Sequence, residues 1–165
     1  MHRSSPFRLG VALGAVSLLV ALVPLNALAA SPRKDAGYQG ASTQKSGNLT
    51  LPASLRVSKD GKKVNRFNLQ WTAKCAAPTG RGSLDGLFVT QNKVISSGGS
   101  FSYLSTVTQN LGNAQKATFT IELKGKFTSK TVAKGSFKVN GSIKDAAGAQ
   151  VDTCTSGNVA WQVRD

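Results

Sequence analysis

The chain has 165 residues, 21 Lys and Arg against 7 Asp and Glu, and a formal net charge of +14. A length of this order suits one domain with a core of its own. Its one histidine is His2 and it has two cysteines, which excludes most imidazole and thiolate chemistry.

The chain opens on a basic stretch, Met1-His2-Arg3-Ser4-Ser5-Pro6-Phe7-Arg8, followed by an apolar run from Leu9 to Leu25 and by Asn26-Ala27-Leu28-Ala29-Ala30. This is the pattern of a secretory signal peptide with an A-x-A site, and it predicts cleavage after Ala29. A membrane anchor is disfavoured, because the run is interrupted by Pro24, ends in small residues and lacks a charged stop-transfer flank. No Cys stands at the cleavage region to take a lipid. The expected product is secreted, extracellular or associated with the cell envelope, and has no transmembrane anchor. Removing residues 1–29 leaves 165 − 29 = 136 residues, and losing Arg3 and Arg8 lowers the charge to 14 − 2 = +12.

Residues 30–36 are short and polar and read as a disordered segment ahead of one β-domain, 37–165. Tyr38 reads as an exposed ring. From there the period is two. Phe67, Leu69, Trp71, Ala73 and Cys75 alternate with polar residues, as in a strand with one buried face. The alternation returns at Phe101 and Tyr103, at Ala117 to Leu123, at Phe137 to Ile143 and at Val159 to Val163. No stretch carries a competing helical spacing, so helix is expected only in the signal peptide.

Turn chemistry separates these runs. Lys59-Asp60-Gly61-Lys62 supplies a hairpin turn, and the three-residue spacing of Val64 and Phe67 predicts a bulge near Asn65 and Arg66. Ala76 to Gly86, with Pro78 and three glycines, reads as the longest loop. Gly99-Ser100-Phe101, Gly125-Lys126-Phe127 and Gly135-Ser136-Phe137 repeat one element, each glycine relieving crowding in a curved sheet while the Phe fills the core. The fold class is all-β: one antiparallel meander of about eight strands, closed as a small barrel or a β-sandwich.

Cys75 and Cys154 are an even pair in an oxidising compartment, and a disulfide between them is expected. Closing so long a loop stabilises by about 4.5 kcal/mol in the chain-entropy description. Trp71 and Trp161 lie on the core parity and suit packing around that bond.

The run Tyr38-Gln39-Gly40, then Lys59-Asp60-Gly61-Lys62-Lys63-Val64, then Trp71 and Cys75, the Gly-x-Phe elements and Cys154-Thr155-Ser156-Gly157-Asn158-Val159-Ala160-Trp161 resembles a family of uncharacterised secreted bacterial β-domains. The resemblance implies a fold and an address. It brings no activity and no functional residues.

With no His after the leader and both Cys paired, no metal site and no cofactor are expected, and catalysis would fall to carboxylates. Asp85, Asp145 and Asp152 are the loop candidates for a hydrolase, but turn-forming Asp is the commoner role. The expectation is no enzyme. A second reading is a carrier with a small apolar or sugar ligand in a barrel mouth lined by Phe101, Phe119 and Phe137.

The charge gives the leading direction. Lys and Arg fall on outward positions, and such an excess attracts polyanions whatever their sequence. A specific nucleic-acid partner is not expected, since stacking aromatics and recognition motifs are missing. An anionic envelope or extracellular polymer is. In the hairpin Lys116 to Lys144 the apolar residues are odd-numbered on both arms, so opposed positions have an even sum. A three-residue loop, Ser129-Lys130-Thr131, gives 260, which sets Leu123 opposite Phe137 and Lys126 opposite Lys134. Lys124, Lys126, Lys130 and Lys134 are the candidate anion-binding residues.

Overall fold

The computed structural model describes residues 30–76 and 82–165; the expected signal peptide and cleavage site and the middle of the loop after Cys75 lie outside the described residues. Eight strands follow in order: β1 (Gly37–Ser46), β2 (Leu49–Val57), β3 (Lys63–Cys75), β4 (Ser83–Val94), β5 (Ser100–Asn110), β6 (Lys116–Ser129), β7 (Val132–Lys144) and β8 (Gln150–Arg164). All pairings are antiparallel, in the order β4-β3-β2-β1-β8-β7-β6-β5. Two four-strand meanders are thus joined through β1 and β8. A further β3–β8 pairing, Lys74 with Thr155 and Cys75 with Cys154, closes the sheet into a small barrel, with β4 and β5 as outer strands that each have one edge unpaired among the described residues.

Alternation decides the core. Phe67, Leu69, Trp71 and Ala73 are buried along β3, as are Ala117, Phe119, Ile121 and Leu123 along β6 and Val159, Trp161 and Val163 along β8. Rings from the two meanders meet in the middle: Phe67 with Trp161 at 4.9 Å between centroids, Trp71 with Phe119 at 5.2 Å, and Tyr38 with Phe127 at 5.5 Å. Cys75 and Cys154 are bonded, with Cα atoms 3.9 Å apart as direct cross-strand neighbours. Trp71 connects to this staple through Phe119, which covers Gly141, the partner of Cys154. Trp161 does not; it packs at another level, against Phe67 and Phe101.

Between the stretch where β3 pairs with β2, which ends at Leu69, and the stretch where it pairs with β8, which starts at Lys74, Thr72 has no strand neighbour on that side. The amide of Gln44 fills the position. Its Nε2 donates to the Thr72 carbonyl at 2.7 Å and its Oε1 accepts from the Thr72 N–H at 3.1 Å.

Local turn chemistry matches in several places. The β2–β3 bulge falls at Asn65, since Arg56 faces Arg66 while Val57 faces Val64. Gly61 takes φ +77° in the β2–β3 turn, where Asp60 Oδ1 accepts from Lys62 N at 2.9 Å and from the Ser58 hydroxyl.

Four further expectations are corrected. Residues 30–36 are ordered against the barrel: Pro32 and Ala36 are buried, Arg33 N donates to the Lys130 carbonyl at 3.2 Å, and Asp35 N donates to the Ser58 carbonyl. Tyr38 is fully buried, and its hydroxyl donates to the Lys130 carbonyl at 2.6 Å and accepts from Arg33 N. The β6–β7 turn has two residues, Lys130 and Thr131, and a bulge between Phe127 and Ser129 supplies the residue that keeps the rest of the hairpin on its register. The loop after Cys75 ends early, because Ser83 to Gly86 pair with β3 and place Asp85 opposite Thr72 within a strand.

Candidate anion-binding face

The register of β6 and β7 sets Lys126 opposite Lys134, Gly125 opposite Gly135 and Lys124 opposite Ser136. On the other side of β6, Ser100 faces Lys126, Phe101 faces Gly125 and Ser102 faces Lys124. Lys124, Lys126 and Lys134 are exposed on the outer surface. Neither of the two ion pairs among the described residues, Arg33 with Asp165 and Arg56 with Asp35, involves them.

The glycines belong to the inner face beneath this surface, where core rings pack against their backbone. A side chain on Gly125 would overlap the ring of Phe101, and one on Gly135 would collide with the carbonyl of Lys124 and approach the Trp161 ring at 2.8 Å. The row Phe101, Gly125, Gly135, Trp161 therefore crosses four strands, with a ring from each flank leaning over bare backbone. Phe101 and Trp161 stand 6.1 Å apart between centroids.

Above that row lies an open depression of about 800 Å³, with Phe101, Gly125 and Gly135 in its lining and Lys124, Lys126 and Lys134 around it. Ser96, Ser100, Ser102 and Ser136 add hydroxyls. A second depression of about 560 Å³ shares Lys126, Lys134 and Gly135 and extends over β8 to Ala41, Ser42 and Thr43 of β1. Lys126 and Lys134 thus stand where two hollows adjoin.

Of the four lysines singled out in the sequence, three come together here. Lys130 lies in the turn beyond, with its carbonyl engaged by Tyr38 and Arg33, and lines neither hollow. The serines and the glycine floor escaped the sequence reading. The available signal was the Gly-x-Phe repeat, which sets a glycine between outward lysines on β6 and beside one on β7. That repeat has two meanings: Gly125 and Gly135 sit in strands under rings, whereas Gly99 takes φ +73° in a turn.

The three loop aspartates occupy separate settings. Asp145 organises the β7–β8 turn by accepting from Ala149 N at 2.9 Å, Asp85 is an exposed strand residue, and Asp152 is buried in β8 and accepts from Thr153 N. Among the described residues no three His, Cys, Asp or Glu side chains gather as a metal site. Phe101, Phe119 and Phe137 are buried core rings, and of these only Phe101 reaches the outer depression.

The chain matches no protein-family model, and no curated protein or solved structure is similar to it. The site is therefore interpreted from its own chemistry.

Proposed function

We propose that this protein is a secreted, non-catalytic binding module that holds an anionic envelope or extracellular polymer across the outer face of β5 to β8. The reading is supported above all by Lys126 and Lys134, two like charges fixed opposite one another beside an apolar hollow. Directly opposed like charges destabilise a sheet by about 0.2–1 kcal/mol. Strands lie about 4.8 Å apart, inside the Debye length of about 8 Å in physiological salt, so the two ammonium groups act on each other. An anion bridging them relieves that repulsion, and the hydroxyls of Ser100, Ser102 and Ser136 offer hydrogen bonds beside it. The two adjoining hollows suit an extended chain better than a compact ion. Small disulfide-bonded β-barrels of this kind need no catalytic group for such a role.

The test separates this face from net charge. Lys126→Gln with Lys134→Gln should lower the salt needed to elute the protein from an immobilised sulfated polysaccharide. A control removing two exposed lysines elsewhere, Lys62→Gln with Lys74→Gln, should lower it much less. Equal losses from the two pairs would show that only total charge matters.

A further inference from the structure

The charge that covers most of the barrel is absent from one strand. β5, Ser100-Phe101-Ser102-Tyr103-Leu104-Ser105-Thr106-Val107-Thr108-Gln109-Asn110, is the only one of the eight strands without a charged residue, in a chain of net charge +14. It is also an edge: among the described residues β6 pairs with one side and no strand pairs with the other. Edge strands are ordinarily blunted by Lys, Pro or a covering loop, and β5 has neither residue. Its Leu104 is 69% exposed, and Val107 is 45% exposed although it stands opposite the buried Phe119. The facing edge, β4, touches it through side chains: Phe88 and Tyr103 meet as tilted rings 5.0 Å apart, and Lys93 Nζ lies 4.2 Å from the Tyr103 ring.

We propose that β5 is a self-association edge, at which two copies of this chain pair β5 to β5, antiparallel, about a two-fold axis. The occupant follows from the charge. A molecule this basic repels its own copy over most of its surface, and β5 is the free edge where no register sets like charges opposite each other. The β4 edge does not share this property, since Asp85 and Lys93 lie on it. Two-fold pairing of one edge with itself is closed, so assembly stops at two. The pairing continues the sheet and leaves both basic faces on the same side. This proposal does not rest on the anion-binding reading, and its salt dependence has the opposite sign.

Light scattering and sedimentation of the purified protein at low and high salt test it. Two-chain mass is expected, and its share should rise with salt as repulsion between copies is screened, whereas polyanion binding weakens with salt. Leu104→Lys should restore one-chain mass at every salt concentration, and Leu87→Lys on β4 should leave the two-chain mass intact. Hydrogen exchange of the unmodified protein gives an independent reading: amides of Ser100–Asn110 should exchange more slowly in concentrated than in dilute solution. One-chain mass throughout, growth beyond two chains, dissociation by Leu87→Lys, or β5 exchange independent of concentration would each overturn the proposal.

Discussion

The ring of Phe101 occupies the space that a side chain on Gly125, its cross-strand partner, would need. Gly86 under Trp71 and Gly141 under Phe119 repeat the arrangement. Overpacking of this kind costs about 1–3 kcal/mol, so Gly125→Ala should destabilise by that amount as Phe101 is pushed from its place. Gly135→Ala should cost more, because its first obstacle is the Lys124 backbone, which cannot rotate away. Gly37→Ala, which meets nothing within 4 Å, serves as the control and should be neutral or slightly stabilising. Urea denaturation of the three variants checks the order, and equal stabilities would contradict it.

Tyr38 ties the N-terminal segment to the β6–β7 turn through one hydroxyl. Tyr38→Phe keeps the ring against Phe127 and should lose about 1–2 kcal/mol at neutral pH through the missing hydrogen bonds. Burial raises the phenol pKa above its usual value, opposed in part by the hydrogen bond from Arg33 N. The folded state thus favours the neutral phenol, whose contribution is complete below the unfolded pKa and is lost as pH rises through the folded one. The stability gap between wild type and Tyr38→Phe should therefore shrink in alkali. A gap that widens with rising pH would refute the assignment.

Much of this barrel could be read from parity. In the hairpin of β6 and β7 the odd-numbered apolar residues fix which face is buried, and a slip by one would expose Phe119, Ile121 and Leu123 together, so the register of Lys126 and Lys134 followed from the sequence. The Asn65 bulge followed from one broken spacing. Tyr38 did not follow, because a ring at the start of a strand is buried or exposed according to what arrives from 92 residues away. The order of residues 30–36 has the same cause: their partners are backbone groups of Ser58 and Lys130, which have no signature in sequence. The hollow itself was hidden because it lies over the outer backbone of Gly125 and Gly135, while the side chains those glycines lack would point inward onto Phe101 and Trp161, and a glycine says nothing of which ring will pack beneath it.

The Cys75–Cys154 bond staples the one place where β3 reaches β8. Replacing both cysteines by Ala should lower stability by up to about 4.5 kcal/mol, the chain-entropy value for a loop of this length, with the eight-strand circular dichroism spectrum retained in mild conditions. Thermal melts with and without reductant should show the same loss for the wild type and no change for the double variant. A reductant effect in the variant would place the loss elsewhere.

Asp60 holds the β2–β3 turn. Hydrogen bonds from the Ser58 hydroxyl, and then from Lys62 N, hold its carboxyl below the usual carboxylate range. A lowered folded pKa means a contribution that is present above the unfolded pKa and lost as pH falls through the folded one. Asp60→Asn should flatten the acid limb of the stability profile and leave the profile above neutrality parallel to that of the wild type. Denaturation midpoints across the acid range measure this, and an unchanged acid limb would exclude Asp60 as a contributor.

Gln44 offers the sharpest test of how the barrel closes, because one side-chain amide takes the place of a strand beside Thr72. The Thr72 N–H and C=O need an acceptor and a donor together, and a carboxamide supplies both at one site at every pH. Gln44→Leu should leave both groups unpaired at a partly buried position and cost about 1–3 kcal/mol. Gln44→Glu keeps the acceptor for the Thr72 N–H but sets a carboxylate oxygen against the Thr72 carbonyl at neutral pH. Protonation restores the donor, so the folded state should raise the pKa of the introduced carboxyl. Its stabilising contribution is then complete below the unfolded pKa and is lost as pH rises through the folded one. The Glu variant should accordingly approach wild-type stability in mild acid and fall toward the Leu variant at neutral pH. Matched urea titrations of the three proteins at both pH values decide it: a Glu variant with the same deficit at both would mean that Gln44 packs against β3 without serving as its missing neighbour.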